Sequence, residues 1–318
     1  VSGELRRAAD ILRAGGLVAF PTETVYGLGA DAGNAQAVAR LYAVKRRPAD
    51  HPVIVHFADA QGAFAWAREV PAAARKLAAR YWPGPLTLIL KRSALARDFV
   101  TGGQDTVGLR VPSHPVAQAL LKEFGAGVAA PSANRFGRLS PTTAAHVRAD
   151  LGSEVDAVLE GGASEIGIES AIVDLSRGQA VLIRLGHIGQ RQLEETLGAP
   201  VAQADAAAPR APGTLERHYA PRTPARLVAP HALDAEIAKQ GARTGKGDAR
   251  IAVLAFSRPD ERVDYWLRMP RQPAAYAQRL YAALRELDDA NCEAILIESP
   301  PELPAWQAVR DRLLRATA

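Results

Sequence analysis

The sequence predicts an α/β protein, with a mixed sheet in a larger first domain and a smaller α/β domain after it. Three observations carry that prediction. Short apolar runs of strand length alternate with segments whose apolar residues recur at helical spacing. Several of these runs stop in loops rich in hydroxyls, cations and prolines, where an open α/β sheet places its ligand groups. Between the two parts, Ala199 to Pro212 is rich in Ala and Pro with almost no large apolar residue, which is linker composition.

The elements follow in order. Leu5, Ala8, Ile11 and Leu12 share one helix face over 4–14, and Gly15-Gly16 ends that helix. Leu17 to Phe20 reads as a strand, 34–45 as a helix, Val53 to Phe57 as a strand and 71–81 as a helix. Leu86 to Leu90 and Val107 to Val111 read as strands, 115–124 as a helix and Val128 to Ala130 as a strand. Strands over Ala157–Leu159, Ala171–Leu175 and Val181–Arg184 precede a helix over about 189–197, and their close spacing argues for a mixed sheet. Beyond the linker, Arg226 to Ala229, Ile251 to Phe256 and Ala294 to Glu298 read as strands, with helices over 232–240, 273–288 and 304–316. The expected division is a catalytic domain over 1–198, a linker or flap over 199–225 and a small α/β domain over 226–318.

Composition narrows the function classes. At 318 residues the chain is about two domains long, taking roughly 150 residues for each. A hydrophobic share of 48% is enough to bury a core, so global disorder is not expected. The net charge of +5 suits an anionic substrate or an RNA partner and selects neither. Cys292 is the single cysteine, so no internal disulfide forms, as expected of a reducing cytoplasm. No apolar run reaches membrane-span length and no charged-then-apolar leader opens the chain, so a cytoplasmic protein is expected.

The common nucleotide signatures are missing. The stretch Gly241-Ala242-Arg243-Thr244-Gly245-Lys246-Gly247 has the wrong spacing for a phosphate loop and lacks its hydroxyl. No GxGxxG follows the first strand, and no His/Cys/Asp/Glu spacing suggests a metal cage. What the chain offers instead is a set of cations and hydroxyls at strand ends. Pro21-Thr22-Glu23-Thr24-Val25-Tyr26-Gly27-Leu28-Gly29 follows the first strand. Lys45-Arg46-Arg47-Pro48 closes a helix, where cations are favourable on dipole grounds alone; Pro48 and Pro52 add stiffness that would aim an arginine at phosphate.

His56 taken singly reads as an ordinary core or edge histidine, and Arg110 as a strand charge that must reach solvent or an anion. On neighbouring strands the two make a shared anion pocket more plausible. Ser132 and Asn134 read as a turn and cap, and Ser140-Pro141-Thr142 as the N-cap of the next helix, an orientation that also suits phosphate. Ser170 precedes a strand and Arg184 closes one. His218 and Tyr219 sit between prolines in Pro212 to Pro221, either as an ordered linker or as a flap over a ligand.

Taken together and in order, PTETVYGLG, KRRP…HPVIVH, WPGPLTLIL, TVGLRVPSHP, APSAN, SPT, IES, LIRLG and APGTLERHYAP resemble the long form of the threonylcarbamoyl-AMP synthase family. The resemblance spans essentially the whole chain. It implies a twisted mixed-sheet YrdC-like domain with a concave, positively charged cavity, followed by a smaller Rossmann-like domain. It also implies a reaction of L-threonine, bicarbonate and ATP that yields L-threonylcarbamoyladenylate and pyrophosphate, for tRNA threonylcarbamoylation.

Carried over motif by motif, Thr24, His56, Arg110 and Ser170 would surround threonine, with the backbone at Ala130 helping. Arg47, His51, Thr106, Ser132, Asn134, Ser140 and Arg184 would surround ATP, with Lys45 near its phosphates and Tyr219 closing over the nucleotide. Mg²⁺ would ride on the ATP phosphates with no ligand from the protein. All the reactants are anionic or zwitterionic, so the implied work is positioning and charge stabilisation, and no covalent catalyst is assigned. The expected partners are the tRNA-modifying machinery that takes the product and, weakly, RNA; no membrane is expected.

The chain departs from the family pattern at His51, where Asn is more usual, at Ala171 for Thr and at Leu185 for Pro. Thr214-Leu215-Glu216 also replaces a more basic and aromatic stretch. Two other readings compete. A YrdC-like RNA-binding or ribosome-associated module would bind with steep salt dependence, yet the basic residues form no continuous stripe and aromatics are few. A carbamoyltransferase of the hydrogenase-maturation type would carry extra Cys pairs, which are missing.

Overall fold

The computed structural model describes residues 2–243, 250–257, 263 and 265–318. The glycine-rich stretch that begins at Gly241 lies outside the described residues from Thr244 to Gly247. Spatially the chain divides into two units: Val1–Phe136 with Ser140–Thr214, and Gly137–Leu139 with Leu215–Ala318.

The first unit is built on ten strands: β1 (Val18–Phe20), β2 (Gly27–Asp31), β3 (Ile54–His56), β4 (Leu86–Lys91), β5 (Thr106–Arg110), β6 (Val128–Ala129), β7 (Ala157–Val158), β8 (Ala171–Asp174), β9 (Val181–Arg184) and β10 (Ala202–Gln203). They run in the order β10-β9-β8-β4-β5-β3-β6-β2-β1-β7. The sheet is mixed, as expected: β3 lies parallel to β5, β4 antiparallel to β5, and β4 parallel to β8. β2 is not among the strands expected from the sequence, since its Gly-Leu-Gly-Ala-Asp holds two glycines and no β-branched residue. It forms because Gly29 lets β1 and β6 approach; a Cβ there would lie 2.9 Å from Phe20 and from Val128.

Alternation along the strands assigns the two faces. Val55, Leu88, Leu90, Val107, Leu109, Val173 and Leu182 pack into the principal core under the helices. Ile54, Ile89 and Ile172 point the other way and pack with Ala211. The linker is therefore ordered within the first unit up to Thr214, and Ala202–Gln203 pairs parallel to β9. Its Ala/Pro composition is no bar to that pairing, because its backbone hydrogen-bonds to a sheet edge, an interaction independent of side-chain size.

The second unit holds β11 (Ala225–Val228), β12 (Ile251–Ala255), β13 (Tyr265–Arg268) and β14 (Ala294–Glu298), all parallel in the order β11-β14-β12-β13. Three strands match the expectation; β13, with polar termini and aromatic interior, was not foreseen. The helices Leu233–Arg243, Pro273–Asp289 and Gln307–Thr317 complete it.

Candidate active site

Strand register builds the site. His56 on β3 lies opposite Arg110 on β5, Arg110 opposite Thr87 on β4, Thr87 opposite Ile172 on β8, and Ile172 opposite Arg184 on β9. Registered partners share a sheet face, so these five side chains form one row across five strands. Arg184 joins it through a β-bulge: the extra residue Ile183 shifts the register between Ile172 and Val173. Gly186 then lets the chain fold back on the start of β8, since a Cβ there would come within 2.2 Å of the Ala171 nitrogen.

The loop between β1 and β2 delivers the next layer. Arg110 Nη2 donates to Glu23 Oε1 at 2.6 Å and to Thr24 Oγ1 at 2.8 Å. Thr24 shares a 2.8 Å bond with Thr22 Oγ1, and Thr22 donates to the Val25 carbonyl at 2.6 Å. The direction of this chain is therefore set: guanidinium to Thr24, Thr24 to Thr22, Thr22 to backbone. Glu23 Oε2 accepts the Ser113 N–H at 3.0 Å, so the carboxylate is anchored at both oxygens. The side chains of Arg110 and Glu23 are only 6% and 4% exposed, and Arg110 Nε is buried with no partner.

His56 is buried against the edge of the Phe20 ring, and its Nδ1 has no partner. Burial, then the charge of Arg110, pushes its pKa well below the ordinary 6.5, so the ring is neutral at physiological pH. At the other end of the row, Arg184 Nη2 donates to Ser170 Oγ at 3.1 Å and Nε to the Ser170 carbonyl at 3.0 Å. Ser170 in turn bonds Thr87 Oγ1 at 2.9 Å. Arg184 Nη1 reaches the Pro212 carbonyl at 2.8 Å, tying the linker to the same face. A shallow recess there is lined by Pro52, Thr87, Thr106, Gly108, Ile172 and Pro212.

Of the residues expected around ATP, Lys45, Arg47, His51, Ser132 and Asn134 gather near the end of one helix, whereas Arg184 stands in the row just described. The helix Ala35–Lys45 ends with Arg46 in the left-handed region at φ 52°, which turns the chain so that Arg47 Nη2 donates to the Pro52 carbonyl at 2.7 Å. The Arg47 guanidinium also lies 5.5 Å over the Phe136 ring, and His51 meets the edge of that ring at 5.4 Å. Burial and Arg47 lower the His51 pKa from 6.5. Lys45 was expected near phosphates; its fully buried ammonium instead donates to the carbonyls of Ser132 and Asn134. Burial, then Arg47, holds its pKa well below 10.5. Its position braces the Pro131–Asn134 loop, and the Ala130 N–H donates to the Ile54 carbonyl at 3.0 Å.

The expectation that Ser140-Pro141-Thr142 caps the following helix is corrected by one position or more. Thr143 caps Ala144–Leu151, and Ser140 Oγ donates to Glu169 Oε1 at 2.5 Å. Tyr219 falls in the second unit, with φ 58°; there its ring packs 5.8 Å from Tyr281 and 5.2 Å from the Arg312 guanidinium.

The comparisons with known proteins match this geometry over the whole chain. Residues 10–186 fit the family model described as Telomere recombination, and residues 188–318 fit the threonylcarbamoyl-AMP synthase C-terminal domain. The chain is 37% identical to the threonylcarbamoyl-AMP synthase of Pyrococcus abyssi, with 99% of this chain and 94% of that one covered. The chain belongs to the threonylcarbamoyl-AMP synthase family. The Bacillus subtilis threonylcarbamoyl-AMP synthase is 38% identical, with 98% and 92% covered. The solved structure of P. abyssi Sua5 complexed with L-threonine superposes with a TM-score of 0.91 at 36% identity, covering 98% of this chain and 94% of that one.

As a member of the threonylcarbamoyl-AMP synthase family, the chain is an enzyme of nucleotidyltransferase type. Sequence reasoning missed Thr22, Glu23, Thr87 and Glu169. Glu23 and Glu169 were passed over because an acidic residue looks wrong in an anion site. The available signal was arithmetic: several buried cations need buried anions near them.

Proposed function

We propose that the chain condenses L-threonine, bicarbonate and ATP into L-threonylcarbamoyladenylate, with release of pyrophosphate. The observation that carries this reading is the row His56–Arg110–Thr87–Ile172–Arg184, flanked by Thr24 and Ser170. It sets a cation, a neutral imidazole and hydroxyls on one sheet face of a chain from this family.

In this reading Arg110 takes the threonine carboxylate. The neutral His56 presents a lone pair rather than a positive charge beside it; Thr24 bonds Arg110 directly, and Ser170 bonds Thr87 and Arg184 further along the row. The threonine amine, once it has lost its proton, attacks bicarbonate to give the carbamate and water. A carbamate oxygen then attacks the α-phosphorus of ATP and pyrophosphate leaves. Arg47, His51, Thr106, Ser132, Asn134, Ser140 and Arg184 hold the nucleotide, while Lys45 braces the loop that carries Ser132. The chain's part is to hold like-charged reactants in reacting distance, so positioning and fixed charge supply the acceleration.

Mg²⁺ enters with ATP as part of the substrate and neutralises the leaving pyrophosphate. Among the described residues no group of three or more His, Cys, Asp or Glu is placed to hold a metal ion. The product serves a tRNA-modifying transferase in the cytoplasm. Among the described residues no helix is long and apolar enough to cross a membrane.

The test is pyrophosphate release from ATP with threonine, bicarbonate and Mg²⁺ each omitted in turn. Release that requires all three is the expected result. ATP binding without any response to threonine or bicarbonate would overturn the reading and turn attention to RNA binding.

A further inference from the structure

Glu23 is an anion buried in a site read as binding anions, and the geometry explains why it is there. One carboxylate oxygen takes Arg110 Nη2 and the other takes the Ser113 N–H, so Glu23 links the β1–β2 loop to the chain just beyond β5. The same Nη2 also meets Thr24, whose hydroxyl is committed to Thr22. Nη2 is thus held from two directions, while Nε is buried without a partner. An arginine on a long flexible stem is otherwise free to turn, and a carboxylate is recognised well only when the guanidinium plane is fixed.

We propose that Glu23 is a positioning residue for the amino-acid substrate, fixing the Arg110 guanidinium in the orientation that meets the substrate carboxylate. The inference rests on the reading of Arg110 as the carboxylate partner.

Calorimetric titration of the full chain with L-threonine and with L-threoninamide, without nucleotide, tests both levels separately. Threoninamide keeps the ammonium and hydroxyl and replaces the charged carboxylate by a neutral amide. The native protein is expected to prefer threonine by at least about tenfold, as the loss of a charge-assisted pair implies. In Glu23→Gln the volume is kept, but an amide N–H₂ replaces one of the two accepting oxygens and the charge that holds Arg110 is lost. The preference is then expected to fall below about threefold, with ATP affinity changed less than about twofold.

A purely structural Glu23 would weaken both ligands equally and leave their ratio intact, which would overturn the proposal. No preference in the native protein would instead overturn the reading of Arg110. Should Glu23→Gln fail to fold, Glu23→Asp retains the charge but withdraws it by one carbon–carbon bond. The same loss of preference is expected there, and a retained preference would overturn the proposal.

Discussion

His56 and Arg110 face each other directly across β3 and β5, and the cation joins burial in keeping the imidazole uncharged. In water the two would titrate independently. On adjacent strands inside a sheet, burial first and the facing guanidinium second keep the imidazole a neutral acceptor.

That relationship has a pH signature in stability. The folded His56 pKa lies well below 6.5, so the unfolded chain binds more protons than the folded one as pH falls through about 6.5. The stability contributed by keeping His56 neutral is complete above that value and is lost progressively below it. Denaturant midpoints of native protein and His56→Gln, compared from pH 7.5 to 5, should converge as pH falls. Parallel curves would show that His56 is not the group responsible.

Replacing Arg110 by Ala should raise the threonine requirement by about 10-fold to 100-fold, and the ATP requirement by less than about twofold, because its contacts lie in the Glu23–Thr24 corner. Steady-state kinetics with each substrate varied would show it. Equal effects on both substrates would contradict the division of the site.

Lys45→Met keeps the apolar stem and removes the ammonium that binds the Ser132 and Asn134 carbonyls. A loss of about 2–4 kcal/mol in denaturant unfolding is expected, since two buried carbonyls lose their donor. An unchanged midpoint would mean that other donors reach these carbonyls without cost.

The Gln104 amide pairs with the linker at both polar atoms of Arg210, donating to its carbonyl at 3.1 Å and accepting its N–H at 2.7 Å. Gln104→Ala should therefore speed tryptic cleavage between Arg210 and Ala211 several-fold, because local opening of that segment becomes easier. Cleavage at the native rate would assign the hold on the segment to Arg184, to the Arg210 side chain's bonds to Gly102 and Asp50, and to the apolar contacts of Ala211.

Much of this protein was legible without coordinates. The helices 115–124 and 72–81, and the strands β9 and β14, lie where apolar periodicity and capping residues put them. Those signals are local, and burial reinforces them. The residue types of the site were equally visible, since hydroxyls and cations at strand ends do not depend on knowing which strands touch.

What only the tertiary structure decided is pairing across distance in the chain. β2 exists because Gly29 fits between two neighbours, and β10 because a sheet edge had hydrogen bonds to offer. Arg110 belongs to Glu23 and Thr24, 87 and 86 positions away. Ser140, which the local sequence marks as a helix cap, bonds Glu169 while Thr143 takes the cap. Propensity and periodicity are written within a few residues of chain; the partner of a buried charge is chosen by desolvation, and desolvation is a property of the folded whole.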